Sequence, residues 1–224
     1  MQFIIAFVFF IASVNALSRT KFSATTTTST LIPLSANSYS FTRGTPSPVV
    51  VDLYIDLACS DTQLVWSQLN DVVKTFKDRV QFQFHVFPLP YHQQAFLLSK
   101  AATIVKNYGG LDSAFIFMDT CFEYQSQIYN DATADLTYNQ VISLISKWAT
   151  NGTGVTTAQF YEGMNRSTAI GQQLEMNTRY MWKYSTLHEV FGTPLYYVNN
   201  EFVLDGLNTY EDWVATLTAL LAQV

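Results

Sequence analysis

The sequence predicts an α/β fold in which a long helical segment interrupts a β-sheet. Residues 49–55 and 80–87 are rich in β-branched and aromatic side chains, as buried strands are. A further strand pair is predicted at residues 195–198 and 202–204. Between residues 93 and about 184 no strand pattern occurs, and only helical segments fit the spacing of apolar residues. We therefore expect a helical insertion between two parts of one sheet.

The elements outside the insertion follow a simple order. A helix is predicted from about Asp61 to Phe76, between the first two core strands. Because a helix joins them, these strands should pair in parallel as a right-handed βαβ unit. A short edge strand is predicted at residues 39–43, and a closing helix at 209–222 with Thr209 as its N-cap.

The insertion itself divides into helical segments. Gly109 and Gly110 favour a break between the first two of them, and Asn151-Gly152 favours another break. The predicted segments are 93–106, 111–129, 137–149, 157–164 and 168–184.

Composition excludes several classes of function. The chain has 224 residues, of which 49% are hydrophobic and 15% aromatic, as expected of a folded protein. Its net charge of −5 and its lack of a Lys/Arg cluster argue against nucleic-acid binding. The three histidines and two cysteines have no metal-type spacing, and phosphate-binding glycine loops are absent, so we expect neither a metal site nor a cofactor.

The N-terminus indicates secretion. Residues 1–16 are interpreted as a signal peptide, because residues 3–12 are apolar and Val14-Asn15-Ala16 has the small-residue pattern of a cleavage site. That apolar run is too short to span a bilayer, and no later segment is long enough either. We therefore expect a secreted or secretory-pathway lumenal protein whose mature chain has no membrane span.

Two further features fit this compartment. Residues 17–38 are threonine-rich and lack periodicity, so they are predicted to form a flexible leader before the folded domain. Asn151 and Asn165 each begin a tripeptide that accepts N-linked glycans, which favours a glycoprotein.

Cys59 is the candidate nucleophile. It stands between a predicted strand and a predicted helix, where unpaired backbone N–H groups and the helix dipole favour a thiolate. We expect this side chain to be at least partly exposed, with a pKa below that of an ordinary thiol. The alternative is an inert residue that merely begins a helix.

Three stretches place Cys59 in a known context. They are Tyr-Ile-Asp-Leu-Ala-Cys-Ser-Asp-Thr at 54–62, Phe-Pro-Leu-Pro-Tyr-His-Gln-Gln-Ala-Phe at 87–96, and Phe-Gly-Thr-Pro-Leu-Tyr-Tyr-Val at 191–198. In order and spacing they resemble the DsbA-like branch of the thioredoxin-like fold, with an inserted helical domain at about 93–184. The resemblance covers residues 39–224.

The resemblance implies a thiol-disulfide oxidoreductase, with one departure. Cys59 would be the nucleophile, and Thr193-Pro194 the cis-proline loop beside it that pairs with an extended peptide. The second cysteine of a C-x-x-C would stand at position 62, which is Thr62. A lone sulfur cannot hold a disulfide within its own motif, so weak or monothiol chemistry is expected. The hydroxyls of Ser60 and Thr62 could donate to a Cys59 thiolate.

Cys121 has two interpretations. It lies in an apolar helical pattern and is most simply a buried hydrophobic residue. In an oxidising compartment it could instead be a disulfide partner or a resolving residue for Cys59.

Two alternative functions use the same fold. One is a non-catalytic binding module for extended peptides, in which Cys59 is vestigial. The other resembles kappa-class glutathione transferases, although the low level of reduced glutathione outside cells argues against it. The expected partners are thus an extended polypeptide or a small thiol. His85 is interpreted as a core histidine, His92 as a capping or surface histidine, and His188 as a residue on the same face as Cys59.

Overall fold

The computed structural model describes residues 40–203, 207 and 209–224. The predicted signal peptide and leader lie outside these residues, and so does residue 204 of the predicted last strand. The described part forms a mixed β-sheet with helices, as the sequence predicts.

The sheet has five strands in the order β1-β3-β2-β4-β5. Strands β2 and β3 pair in parallel, with Leu53 opposite Phe84, so the predicted βαβ unit is present. The other pairs are antiparallel. The strands are β1 (Phe41–Gly44), β2 (Val50–Ile55), β3 (Gln81–Val86), β4 (Leu195–Val198) and β5 (Glu201–Phe202).

Helices fill the rest of the described chain. No strand occurs among the residues between β3 and β4, so the predicted helical insertion is confirmed. A short 3₁₀ helix, Gln125–Gln127, lies within it. The α-helices are α1 (Ser60–Phe76), α2 (Ala95–Glu123), α3 (Asn130–Thr133), α4 (Tyr138–Thr150), α5 (Thr157–Met164), α6 (Ala169–Leu187) and α7 (Tyr210–Leu221).

Threonine N-caps fix where several helices begin. Thr137, Thr156 and Thr209 each accept a hydrogen bond from the backbone three residues later. The side chain at that third position bonds back to the capping residue, which completes a capping box. Such local signals explain why α4, α5 and α7 begin within one residue of their predicted starts.

The core is continuous from the sheet into the insertion. Leu53 and Phe84 of the central strands are buried, and so are Phe117 and Ile145 of α2 and α4. Helix α2 contacts α4, α5 and α6, and α6 in turn contacts β3. Burial of so much apolar surface holds the insertion against the sheet.

The second predicted segment of the insertion is right at its start and wrong at its end. The backbone of α2 is not helical at Gly110, where φ is +86° and ψ is −177°, so two helical parts meet there and the predicted break is confirmed. Glycine adopts this conformation without a Cβ penalty, so the chain changes direction at this point. At its other end α2 stops at Glu123, well before residue 129, because the Gln125 side chain turns inward to bond two backbone carbonyls.

No helix in the described residues is long and apolar enough to cross a bilayer.

A matched pair of glycine substitutions tests the backbone of this fold. Gly44 and Gly110 both have positive φ, but a Cβ at Gly44 would collide with the carbonyl oxygen of Val80, whereas one at Gly110 meets nothing. We expect Gly110→Ala to lower the free energy of unfolding by about 1–3 kcal/mol through backbone strain. Gly44→Ala should cost more, because the clash adds to the strain. Equal losses of unfolding free energy for the two variants, measured with urea, would contradict the close packing of Gly44 against the Val80 carbonyl.

Candidate functional site

The turn between β2 and α1 is built around the carboxylate of Asp56. This side chain is fully buried and accepts three hydrogen bonds. Its Oδ1 accepts from the backbone N–H of Ala58 at 2.9 Å. Its Oδ2 accepts from the backbone N–H of Leu89 at 3.0 Å and from His92 Nδ1 at 2.7 Å. A buried carboxylate needs such donors, so Asp56 ties the turn before Cys59 to the segment after β3.

Gln125 holds the same turn from the insertion. Its Nε2 donates to the carbonyl oxygens of Leu57 and Cys59, each at 3.0 Å. The hydroxyl of Tyr129 donates to Gln125 Oε1 at 2.8 Å, which fixes the amide orientation. Sequence reasoning missed both Asp56 and Gln125. An acidic residue at the end of an apolar strand was the available signal for Asp56, and no local signal exists for Gln125.

Cys59 is the N-cap residue of α1, as its position in the sequence predicts. Its backbone is extended, with φ −85° and ψ 122°, and its carbonyl accepts the first helical hydrogen bond from Gln63. Its Sγ donates to the carbonyl oxygen of Thr193 at 3.3 Å. The structure thus brings together the candidate nucleophile and the loop that the sequence placed beside it.

The expected exposure of Cys59 is wrong, since only 5% of the residue is accessible. The side chain belongs to a small apolar cluster that lies apart from the main core. The hydrogen bond to Thr193 turns the sulfur inward beneath the loop before β4. The cluster also contains Tyr54, Phe87, Leu89, Val190 and Leu195.

The loop before β4 contributes Thr193 and Pro194. The peptide bond between them is cis. Thr193 is only 9% exposed, and its hydroxyl has no hydrogen-bond partner among the residues that the structure describes. Its backbone carbonyl therefore makes the direct polar contact with Cys59, while its side chain leaves a polar atom unpaired.

Thr62 occupies the third position of α1. It is completely buried, and Oγ1 has no hydrogen-bond partner within the described chain. The predicted donation from this hydroxyl to Cys59 is therefore not made while the thiol points at Thr193. Ser60, the other predicted donor, is exposed. A buried hydroxyl without a partner costs free energy, so position 62 is not optimised for stability.

Cys121 is not bonded to Cys59, because both cysteines are free thiols. The side chain of Cys121 is fully buried in the main core on α2, whereas Cys59 belongs to the separate apolar cluster. Burial, with a smaller contribution from the charge of Asp119, raises the pKa of the Cys121 thiol well above its ordinary value. This thiol therefore stays protonated and has the environment of a buried hydrophobic residue.

The sheet behind Cys59 carries a stack of rings. His85 Nε2 bonds Asp52 Oδ1 at 2.8 Å, both side chains being buried in the strands. The ring of His85 stacks on the ring of Tyr54, with 4.7 Å between ring centres, and on that of Tyr184 of α6, with 5.4 Å. Burial and then the charge of Asp52 raise the pKa of Tyr54, so its phenol is neutral at physiological pH. His85 is thus a core histidine with a partner.

The other histidines have distinct surroundings. His188 contacts Tyr184 at 4.4 Å and Tyr54 at 6.5 Å between ring centres, so it lies near the apolar cluster that contains Cys59. His92 is a partly exposed side chain bonded to Asp56. Among the described residues, no group of three or more His, Cys, Asp or Glu side chains is arranged to hold a metal ion.

Both predicted glycosylation sites are exposed. Asn151 and Asn165 stand at the C-terminal ends of α4 and α5. The hydroxyl of Thr153, which completes the first tripeptide, donates to the carbonyl oxygen of Ala149 and is buried. Their modification stays a prediction.

Comparison with known proteins identifies the architecture. No protein-family model matches the sequence, and no curated protein matches it either. Among solved structures, DsbA of Chlamydia trachomatis superposes with a TM-score of 0.64 at 17% identity, over 87% of this chain and 95% of its own. BdbD of Bacillus subtilis, in its oxidised form, gives a TM-score of 0.58 at 19% identity, over 82% of this chain and 93% of its own.

A third structure agrees with these two. MdbA, a thiol-disulfide oxidoreductase from Actinomyces oris, gives a TM-score of 0.58 at 20% identity, over 84% of this chain and 86% of its own. At these identities the likeness concerns the fold. The chain therefore has a DsbA-like thioredoxin fold with a helical insertion, as the motifs in its sequence predict.

The clamp on the Cys59 turn can be tested at Gln125. Replacing it with leucine keeps the volume but leaves the carbonyl of Leu57 unpaired, at about 1–3 kcal/mol. The Cys59 carbonyl keeps its helical bond from Gln63 and loses only the bond from the amide, at about 1 kcal/mol. We expect Gln125→Leu to lower the free energy of unfolding by roughly 2–4 kcal/mol and to speed alkylation of Cys59. Tyr129→Phe, which removes one hydrogen bond and leaves the amide donors in place, is the control and should cost about 1 kcal/mol. Indistinguishable losses from the two variants would refute the clamp.

Proposed function

We propose that this chain is a secretory-pathway thiol protein that acts through Cys59 as a monothiol, on extended polypeptides or small thiols. The observation that carries the proposal is the contact between Cys59 Sγ and the carbonyl oxygen of Thr193, 3.3 Å apart, at the beginning of α1. The signal peptide predicted at residues 1–16 supports the compartment.

The proposed reaction is thiol-disulfide exchange with an external second thiol. The Cys59 thiolate attacks one sulfur of a substrate disulfide, forms a mixed disulfide with it, and releases the other sulfur as a thiolate. A second external thiolate then attacks the substrate sulfur of the mixed disulfide, which restores the Cys59 thiolate. Each step forms one S–S bond and breaks one, so no other oxidant is needed.

Substrate binding would also uncover the nucleophile. The thiol is a weak hydrogen-bond donor, whereas the amide N–H of an extended peptide is a strong one. A peptide that adds along the loop before β4 would offer its N–H to the Thr193 carbonyl in place of the Cys59 thiol. The sulfur would then be free to turn outward. Burial in the free protein is thus compatible with reactivity in the complex.

A resolving thiol within the chain is not part of the proposal. Position 62 carries a hydroxyl, and Cys121 is buried with a raised pKa. The thiolate is the form that attacks a disulfide, so Cys121 contributes no nucleophile at physiological pH. The reaction depends on the thiol that the surroundings supply.

A binding module without turnover is the second candidate, and the burial of Cys59 favours it. Two apolar side chains near the Thr193 loop are prominently exposed, Leu187 at 83% and Phe191 at 76%. Exposed apolar residues at one place favour contact with a partner. In that function the Thr193 loop would hold a peptide while Cys59 only caps α1. Mixed-disulfide formation by the unmodified protein separates the candidates, and Cys59→Ser is the control. A monothiol enzyme forms the adduct and loses it in the variant, whereas a binding module forms none and binds peptide equally well with either residue.

The missing second sulfur is tested by Thr62→Cys. The unmodified protein should form mixed disulfides but reduce insulin poorly. We expect Thr62→Cys to raise the exchange rate at least about tenfold, because a thiolate within the motif replaces an external one. Stability should be unchanged or higher, since the replaced hydroxyl is buried without a partner.

Two variants control for this gain. Ser60→Cys adds an exposed thiol at the first position of α1 and should not accelerate exchange, and Cys59→Ala combined with Thr62→Cys should return to background. A folded Thr62→Cys protein that stays inactive would favour the binding module over the monothiol enzyme.

Cys121 should be chemically silent in the native protein. Its raised pKa keeps it protonated, and its burial excludes reagents. In a Cys59→Ala variant we expect no alkylation by iodoacetamide at neutral pH until denaturant unfolds the chain. Mass spectrometry of native and unfolded samples would measure this. Labelling of Cys121 in the native protein would restore it as a resolving residue.

A further inference from the structure

A second site is suggested by a groove between the segment after β3 and helix α6. Residues 88–93 form one side of it, and α6 forms the other. The groove has a volume of about 540 Å³, which is in the range of sites for small organic molecules. Its apolar lining residues include Phe96, Met176 and Trp182, with the nearly buried Leu89 at its base.

Trp182 supplies the largest apolar face. It is 41% exposed although tryptophan is usually buried, and its ring stacks parallel to that of Phe87 at 6.3 Å. The stacking fixes the orientation of the indole. Met176, one and a half turns earlier on α6, is 36% exposed. An ordered aromatic face with a thioether beside it favours binding of a flat or branched apolar group.

The polar side chains that line the groove are two cations, Arg179 and Lys183, and the neutral or partnered Gln93 and His92. Arg179 and Lys183 lie on α6, and no carboxylate is among the described residues that line the groove. Arg179 donates through Nε and Nη2 to Glu175, which leaves Nη1 available. Lys183 has no carboxylate partner in the described chain, and its Nζ lies 5.6 Å from the ring of Tyr180. Lys183 is therefore the cation of the groove that no described carboxylate neutralises, whereas Arg179 already pairs with Glu175.

His92 adds a directed group to the same groove. Its Nδ1 lies 2.7 Å from Oδ2 of the buried Asp56 carboxylate. Because an ionised carboxylate only accepts hydrogen bonds, Nδ1 carries the hydrogen and donates it, as two backbone N–H groups do. Nε2 has no hydrogen-bond partner among the described residues. The side chain is 23% exposed where it lines the groove. In this tautomer Nε2 is a hydrogen-bond acceptor, so it would meet a donor on the body of a ligand and not a carboxylate.

We infer that this groove binds a small amphipathic organic anion, a carboxylate carried on an aromatic or branched aliphatic body. The body would lie against Trp182, Met176 and Phe96, and the carboxylate would meet Lys183 and Arg179. Apolar contact supplies the affinity, and the cations select an acid over a neutral analogue.

This site is distinct from the thiol of Cys59. Leu89 belongs both to the groove and to the apolar cluster that contains Cys59, so the two sites share a wall. Binding in the groove nevertheless uses no sulfur. A Cys59→Ala variant should therefore bind the ligand unchanged, which separates a failure of this inference from a failure of the proposed thiol chemistry.

Hydrocinnamate and its neutral amide, hydrocinnamide, form a matched pair of probes. The chain has four tryptophans, and the indole N–H signal of Trp182 can be assigned by a Trp182→Phe variant. In ¹H–¹⁵N spectra of the protein we expect hydrocinnamate to shift this signal saturably, while hydrocinnamide binds at least about tenfold more weakly because it lacks the charge.

Lys183→Gln should weaken the binding of hydrocinnamate about threefold, as expected when an exposed charge at the edge of a site is removed. Lys147→Gln, which removes an exposed lysine of α4 outside the groove, should have no effect. The inference is overturned if the amide binds as tightly as the acid, if other tryptophans shift in place of Trp182, or if no saturable shift occurs up to about 10 mM, beyond the weakest affinities of specific sites.

Discussion

The site depends on one buried charge, the carboxylate of Asp56. Its hydrogen bonds join Ala58, just before Cys59, to Leu89 and His92, just after β3. A carboxylate stripped of water is tolerated only when donors surround it. The ends of two parallel strands must therefore keep their present separation, and the position of Cys59 follows from that. Gln125 adds a second constraint from the insertion, so that the sheet and the helical region meet at this turn.

These constraints place Cys59 at the start of α1 and bury its sulfur beneath the Thr193 loop. The sulfur donates to the Thr193 carbonyl and is nearly inaccessible. The same carbonyl is the group that an extended peptide would use. Reactivity and substrate binding would then compete for one acceptor, and a peptide would activate the thiol by displacing it. Thr62 is buried three residues after Cys59, and its hydroxyl has no hydrogen-bond partner in the described chain. This part of α1 therefore holds a polar atom without pairing it.

What could be predicted from the sequence is what depends on neighbouring residues. Alternation and β-branching marked β2 and β3, Thr209 marked the start of α7, and the order of three motifs indicated the fold. Contacts between distant residues were not predictable. The amide of Gln125 lies 66 residues from the carbonyl that it bonds at Cys59, and the burial of Cys59 arises from a loop 134 residues away. The break at Gly110 was predictable, because a glycine marks it locally.

Asp56 also links the thiol to the groove beside it. One oxygen of its carboxylate holds Ala58 and the other holds His92, so the turn before Cys59 and the open ring nitrogen in the groove rest on the same group. Loss of this carboxylate would disturb both places at once. Thr62 lies three residues after Cys59 on α1, and Lys183 lines the groove. Substitutions at Thr62 or Lys183 should therefore affect one site each, whereas loss of Asp56 should affect both. This is expected when one buried charge holds two neighbouring surfaces in place.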